Sequence, residues 1–209
     1  NIIGTRVVLE KARTGEAKGA LVLSSSEIYG NPSPENVPTP ETYLGNVSCI
    51  GPRACYDESK RAAETLAWIY YNYHDVPVKT VRPFNVYGPG QLPMYIVPQI
   101  LRQIIEEGRV EVRNGSVKRD MLYVDDCIDA VLKLVVTPAA VGEVFNVGSG
   151  ELVSISDIAN QGVSVSGKQE IEIPGSREVE ALSRQTDSGS SSIMGEPQQR
   201  FGTLRDLGK

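Results

Sequence analysis

Histidine is almost absent from this sequence: His74 is the only one, in Tyr-Tyr-Asn-Tyr-His-Asp, and with no ligand-spaced partner it reads as a surface residue. Cysteine is scarce too. Cys49, Cys55 and Cys127 form no Cys-x-x-Cys pair, which excludes a zinc site and a disulfide framework and leaves three free thiols, as expected of a cytoplasmic chain. No Lys/Arg-rich block occurs and the net charge is −5, so no nucleic-acid partner is expected. A few local arginines remain able to hold a small anion. No apolar run approaches the roughly 20 residues that span a bilayer, and the start has no signal-peptide pattern, so no membrane partner is expected either.

What is present suits one globular core: 209 residues, 40% hydrophobic and 22% charged. Residues 1–12 place Ile3, Val7, Val8 and Leu9 at helical spacing, with no cap before them. Ala20-Leu-Val-Leu-Ser-Ser is an apolar run with a polar end, the pattern of a buried parallel strand opening into a site. A proline-rich loop over 31–40 follows. Residues 56–73 form an amphipathic helix, and Val78-Lys-Thr-Val-Arg-Pro is the next strand, which completes a βαβ unit. Further on, the pattern predicts a helix over 98–107, a short strand over 111–113 and a helix over 125–136 begun by acidic residues. Ser154 starts a helix that Asn160-Gln-Gly162 is expected to break, and 185–192 reads as a Ser/Gly-rich loop. The alternation predicts an α/β fold.

Tyr56-Asp-Glu-Ser-Lys60 sets a phenol and an ammonium four residues apart on one helical face. A free tyrosine titrates near about 10, so a nearby cation is what lets it accept a proton at neutral pH. The spacing alone is weak evidence, since nine tyrosines and eight lysines give roughly 0.3 such pairs by chance. Three serines at a strand end, Ser24-Ser25-Ser26, can likewise do no more than satisfy a turn.

Taken in order, however, strand-Ser-Ser-Ser-Glu27-Ile-Tyr-Gly30, Tyr56-x-x-x-Lys60 and Arg82-Pro-Phe-Asn-Val-Tyr-Gly-Pro-Gly90 resemble the extended short-chain dehydrogenase/reductases, in their NAD-dependent epimerase/dehydratase family. The likeness runs through Lys118-Arg-Asp-Met-Leu-Tyr-Val-Asp-Asp126 and Phe145-Asn-Val-Gly-Ser-Gly150 to Arg184-Gln-Thr-Asp187. It implies a partial Rossmann-like parallel sheet, with 1–90 as the later part of the cofactor domain. The rest, 91–209, is then mainly a small α/β substrate region with segments returning to the core. It also implies NAD or NADP, with NAD preferred, a nucleoside-diphosphate sugar and a homodimer. For the dimer the expected surface is Ala62, Ala63, Leu66, Ile69 and Tyr70 of the tyrosine helix.

Carried over position by position, Ser25 holds the sugar 4-hydroxyl, Tyr56 removes its proton and Lys60 holds the nicotinamide ribose. Pro83 passes beside the nicotinamide, while Asn85, Arg119 and Arg184 bind the nucleoside diphosphate. The triplet Ser25-Ser26-Glu27 bears on the reaction. Where 4,6-dehydratases of this family have Thr-Asp-Glu, Ser26 removes the acid that protonates the departing C6 hydroxyl. The triplet, with Ile50-Gly-Pro-Arg-Ala-Cys-Tyr-Asp-Glu58, resembles the UDP-glucuronate decarboxylases instead. The Arg82 and Arg119 motifs are nearer to general epimerases and dehydratases, so 4-epimerisation and 4,6-dehydration stay open, as does a non-catalytic sugar-nucleotide-binding remnant. Gly4 and Gly15 do not make the Gly-x-x-Gly-x-x-Gly turn that cradles a dinucleotide pyrophosphate, nor does an acidic ribose anchor follow one. The resemblance places both before Asn1, in a longer protein or lost from a truncated relative.

Overall fold

The computed structural model describes residues 1–167. Arg184 and the expected loop at 185–192 lie outside them. Helix α1 (Ile2–Arg13) leads into strand β1 (Ala20–Leu23), helix α2 (Ala54–His74) and strand β2 (Val78–Pro83). The chain then forms β3 (Asn85–Tyr87), α3 (Ile96–Arg102), β4 (Lys118–Tyr123) and α4 (Val124–Val136). It continues with β5 (Val144–Val147), β6 (Leu152–Ser154) and α5 (Ile155–Ser166). Among the described residues no helix is long and apolar enough to cross a membrane.

Two small sheets result. The first is parallel in the order β1-β2-β5, with Ala20 opposite Val78 and Thr80 opposite Val144. The second joins β3 to β4 in parallel and β4 to β6 antiparallel. Strand alternation along β2 explains the layers around the first sheet. Val78, Thr80 and Arg82 point to the face covered by α1 and α2, where Val78 packs with Leu9, Val22, Ala63, Ala67 and Tyr70. Val81 points to the opposite face, against Leu122, Ala130, Leu134 and Val147. Lys79 shares that second face and snorkels to the end of α4, where Nζ donates to the Leu134 and Val135 carbonyls at 2.7 Å each. Burying a side chain such as Leu134 stabilises by about 1.5–3 kcal/mol, and truncating it to alanine costs about 2–5 kcal/mol because the cavity cannot fully collapse.

Helix α2 ends where Asp75 takes a left-handed conformation (φ 53°), with the Val76 amide bonded to the Tyr70 carbonyl at 3.1 Å and Pro77 barring continuation. Four of the five residues expected to form a dimer surface pack inward, while Ala62 is half-buried. Ala63 and Tyr70 are buried, and Leu66 and Ile69 pack against the same core, because α1 lies beside α2 and takes up that side. Trp68 and Tyr73 are exposed on α2 instead.

Two local expectations are corrected. Residues 111–113 are not a strand: the Glu111 amide is taken by the Gln103 side chain at 2.6 Å, leaving no ladder for a neighbouring strand to join. The helix expected over 98–107 is present: it starts two residues earlier, as α3 from Ile96, and then widens into a π turn, Gln103–Glu107, stopped by Gly108 at φ 63°. Asn160-Gln-Gly162 also fails to break α5. The helix starts from a full capping box between Ser154 and Asp157, and Gly162 sits against α3's end, where a Cβ would meet Ile104 Cδ1 at 2.7 Å. There the glycine is a close-packing residue, and helix contact overrides its poor propensity.

Candidate active site

Parallel strands leave their C-terminal ends as the natural place for a site, and the chain fills that edge with polar groups. Beyond β1, the Ser24 amide makes one more bond to the Val81 carbonyl at 2.7 Å. Ser25 then turns the chain: extended itself, it accepts the Glu27 amide on Oγ at 3.2 Å and so starts the short 3₁₀ turn Ser26–Tyr29. Its hydroxyl hydrogen stays available to a ligand. All three serines are buried, and Ser24 Oγ has no hydrogen-bond partner among the described residues.

Helix α2 brings Tyr56 to the same edge, 44% exposed. One turn further, Lys60 places Nζ 5.8 Å from the Tyr56 ring centroid and donates to the Leu23 carbonyl at 2.6 Å, which ties α2 to the end of β1. Burial pushes the Lys60 pKa down. Arg53, at the N-cap position of α2, forms an ion pair with Glu27, and its Nε lies 3.9 Å from the Asp57 carboxylate. Asp57 is 6% exposed, and one of its oxygens has no hydrogen-bond partner among the described residues. Burial raises its pKa, against the pull of Arg53.

A cleft of about 1110 Å³ opens here. Ser25, Ser26, Glu27, Arg53, Tyr56 and Pro83 line it. So do Asn85 and Arg119, accompanied by Arg113, Asn114, Gln91 and Tyr95. Lys60 does not reach the wall. Asn85 is oriented by a bond from Nδ2 to the Asp120 carbonyl at 3.1 Å. Asp120, 1% exposed, holds the loop after β5 through the Ser149 and Gly150 amides at 2.7 and 2.9 Å. Three arginines and a single carboxylate line the cleft among the described residues, so its walls are cationic although the chain carries a charge of −5. Its size and charge suit an anionic ligand larger than a free sugar.

The structure thus brings together every described residue expected at the cleft except Lys60, which stands at the strand end beside Tyr56. It adds Arg53 and Arg113. Arg53 precedes Tyr56 by three residues, one helical turn, and that spacing was the available signal. Nothing in the sequence around Arg113 marks it, because it reaches the cleft from the irregular segment where a strand was expected.

With this geometry in place, likeness to known proteins becomes informative. The sequence profile of the NAD dependent epimerase/dehydratase family matches residues 1–148. The chain belongs to that family. Among individual members, UDP-glucuronic acid decarboxylase 5 of Arabidopsis thaliana is 39% identical over 140 residues, covering 64% of this chain and 39% of that protein. The dTDP-D-glucose 4,6-dehydratase of Dictyostelium discoideum is 28% identical over 171 residues, covering 79% of this chain and 39% of that one. In three dimensions, UDP-glucuronic acid 4-epimerase from Bacillus cereus, solved with UDP-glucuronic acid and NAD, superposes with a TM-score of 0.75 at 26% identity. That superposition covers 98% of this chain and 59% of the epimerase. The chain therefore spans about two fifths of the length of these curated family members, and the Rossmann-like reading of its β1-β2-β5 sheet follows from the epimerase/dehydratase fold.

The residues present fit one end of the family's dinucleotide. Tyr56 and Pro83 line the cleft at the C-terminal ends of parallel strands, Lys60 stands one helical turn from Tyr56 against the end of β1, and the buried Ser24 hydroxyl has no hydrogen-bond partner among the described residues. For the pyrophosphate this stretch of epimerase/dehydratase sequence supplies no glycine turn.

Proposed function

We propose that the protein to which this chain belongs is an NAD-dependent enzyme that converts UDP-glucuronate to a UDP-pentose with release of carbon dioxide. The observation that supports this reading is that Ser25, Ser26, Glu27 and Tyr56 line one cleft, with the Ser26 hydroxyl at the position where the motif of a dehydratase has an acid. Ser25 Oγ, already an acceptor for the Glu27 amide, orients the sugar 4-hydroxyl, and Tyr56 Oη takes its proton. Lys60 supplies the positive charge on the flank of the ring and, with Pro83, would hold the nicotinamide ribose. NAD, when bound there, would supply reversible hydride transfer at C4: the β-keto acid made by oxidation loses carbon dioxide without a strong acid at Ser26, and return of the hydride to C4, with the proton returned to the oxygen by Tyr56, would give the UDP-pentose. Glu27 is held by Arg53 at the sugar end. Asn85, Arg119 and, outside the described residues, Arg184 take the nucleoside diphosphate.

A second reading, 4-epimerisation of the same substrate, is favoured by the superposition on the Bacillus cereus 4-epimerase over nearly the whole chain. It uses the same Tyr56 and C4 chemistry and differs in whether the carboxylate survives. The protein acts as a homodimer in this proposal, with exposed Val7 and Val8 of α1 and Trp68 and Tyr73 of α2 offering the apolar surface.

The test is Tyr56→Phe in the full-length protein. Turnover of UDP-glucuronate should fall by about 10²–10⁴-fold, the range for loss of a positioned general base, with substrate affinity within about threefold of the parent. A variant that keeps parental turnover removes Tyr56 as the base and the proposal with it.

A further inference from the structure

Arg82 takes no part in the chemistry just described, yet it is the most heavily bonded side chain at the sheet edge. It is 7% exposed on β2 and faces α2. Nε and Nη2 form a two-pronged ion pair with Glu64 at 2.9 and 2.7 Å. Nη1 donates to the Tyr29 hydroxyl at 2.6 Å and to the Glu41 carbonyl at 2.8 Å. The Tyr29 ring also lies 5.0 Å from the guanidinium carbon. The Tyr29 hydroxyl donates in turn to Asn146 Oδ1 of β5 at 2.7 Å, and Asn146 holds the loop at Thr39 and Glu41.

Two of these partners, Glu64 and Tyr29, belong to segments that carry a reactive group. Glu64 follows Tyr56 and Lys60 at successive steps of four, so the three share one side of α2. Tyr29 closes the turn that Ser25 opens. One guanidinium therefore fixes the tyrosine helix, the serine turn and the 39–41 loop to the same strand.

Stability is a poor explanation for the Arg82–Glu64 ion pair itself. Replacing a buried ion pair by apolar residues of similar volume is often neutral or stabilising, while the best-attested use of such pairs is to fix registry. We infer that Arg82 is a positioning residue: through Glu64 and Tyr29 it sets the separation between the Ser25 turn and Tyr56, and so the geometry in which one sugar hydroxyl meets both. This rests on the reading of the cleft as catalytic.

The experiment uses the full-length protein and the double variant Arg82→Met/Glu64→Leu, which leaves no charge stranded. The expected result is a folded protein with kcat for UDP-glucuronate lowered by roughly 10–100-fold and KM within about threefold, as displacement of a reacting group by about an ångström produces. Hydrogen exchange should speed up together in residues 25–46 and 54–64 and stay unchanged in the β3-β4-β6 sheet. Parental kcat in the double variant overturns the inference, as does a lowered kcat with unchanged exchange in both segments. If the double variant does not fold, Arg82→Lys, which keeps the charge and loses the fork, carries the same comparison. Should the parent turn over no sugar nucleotide, the catalytic reading falls. The exchange pattern then decides alone whether Arg82 couples the two segments.

Discussion

Removing one oxygen from the middle of the molecule should cost more than its size suggests. Tyr29→Phe deletes a hydroxyl on a side chain that is 0% exposed, and with it an acceptor for Arg82 Nη1 at 2.6 Å and a donor to Asn146 Oδ1 at 2.7 Å. The first bond involves a charged group and is worth about 1.5–3 kcal/mol; the second is neutral and worth about 0.5–1.5 kcal/mol. Arg82 keeps the Glu41 carbonyl on the same nitrogen, so its guanidinium is not stranded. The ring still fills its space against Tyr43, Ile28 and Phe84, so no cavity is added. The expected loss is therefore about 2–4 kcal/mol. With a urea dependence of about 2 kcal/mol per molar, the unfolding midpoint should fall by about 1–2 M with an unchanged slope. Circular dichroism during urea titration reads this directly. A midpoint within about 0.3 M of the parent would show that the network around Arg82 is formed at no net gain, and the reasoning from its distances would be wrong.

Two carboxylates should show opposite pH signatures in thermal unfolding. Asp57, its pKa raised by burial above the ordinary 3.8, costs stability once ionised, and that cost is absent below about 3.8 and complete above its folded value. Asp57→Asn should therefore melt above the parent at neutral pH, with the difference vanishing as pH falls toward 3.8; a variant that melts lower at pH 7 refutes it. Glu10 is the reverse case. Its bonds to Arg13 and to the Tyr70 hydroxyl lower its pKa from 4.5 to about 2, so its contribution is present above 4.5 and lost as pH falls through about 2. Glu10→Gln should lose stability above pH 4.5 and match the parent near pH 2, and a constant offset across that window would contradict the assignment. For the dimer, Trp68→Glu should lower the mass seen by light scattering from two chains to one, and a parent that is monomeric at high concentration removes the proposal.

How much of this was legible in the sequence differs by element, for physical reasons. Strand β2 is read to the residue because its buried Val78 and Val81 stand between a helix stop at Asp75 and the cleft-lining Pro83. Helices α2 and α4 are long enough for their apolar period to show, and their observed bounds differ from the expected ones by two residues or fewer. Strands β3 and β6 have three residues each, too short for any period, and exist only because β4 lies between them. Gly162 reads as a breaker until the neighbouring Ile104 is known. At the site, Ser25, Tyr56 and Lys60 were visible as motif, whereas the role of Arg82 required knowing that Glu64 and Tyr29, 35 residues apart in sequence, meet on its guanidinium. The dimer surface was misjudged because amphipathicity marks an apolar side without saying whether α1 or a second copy covers it.

Product analysis by mass spectrometry separates decarboxylation from the other reactions open to this cleft. The full-length protein with NAD is offered UDP-glucuronate, UDP-glucose and dTDP-glucose in separate reactions. A UDP-pentose and carbon dioxide are expected from UDP-glucuronate, and no product from either hexose. A 4-keto-6-deoxy sugar nucleotide from a hexose would contradict this expectation by showing that Ser26 does not prevent dehydration, and a UDP-hexuronate of unchanged mass but inverted C4 would assign the cleft to epimerisation instead.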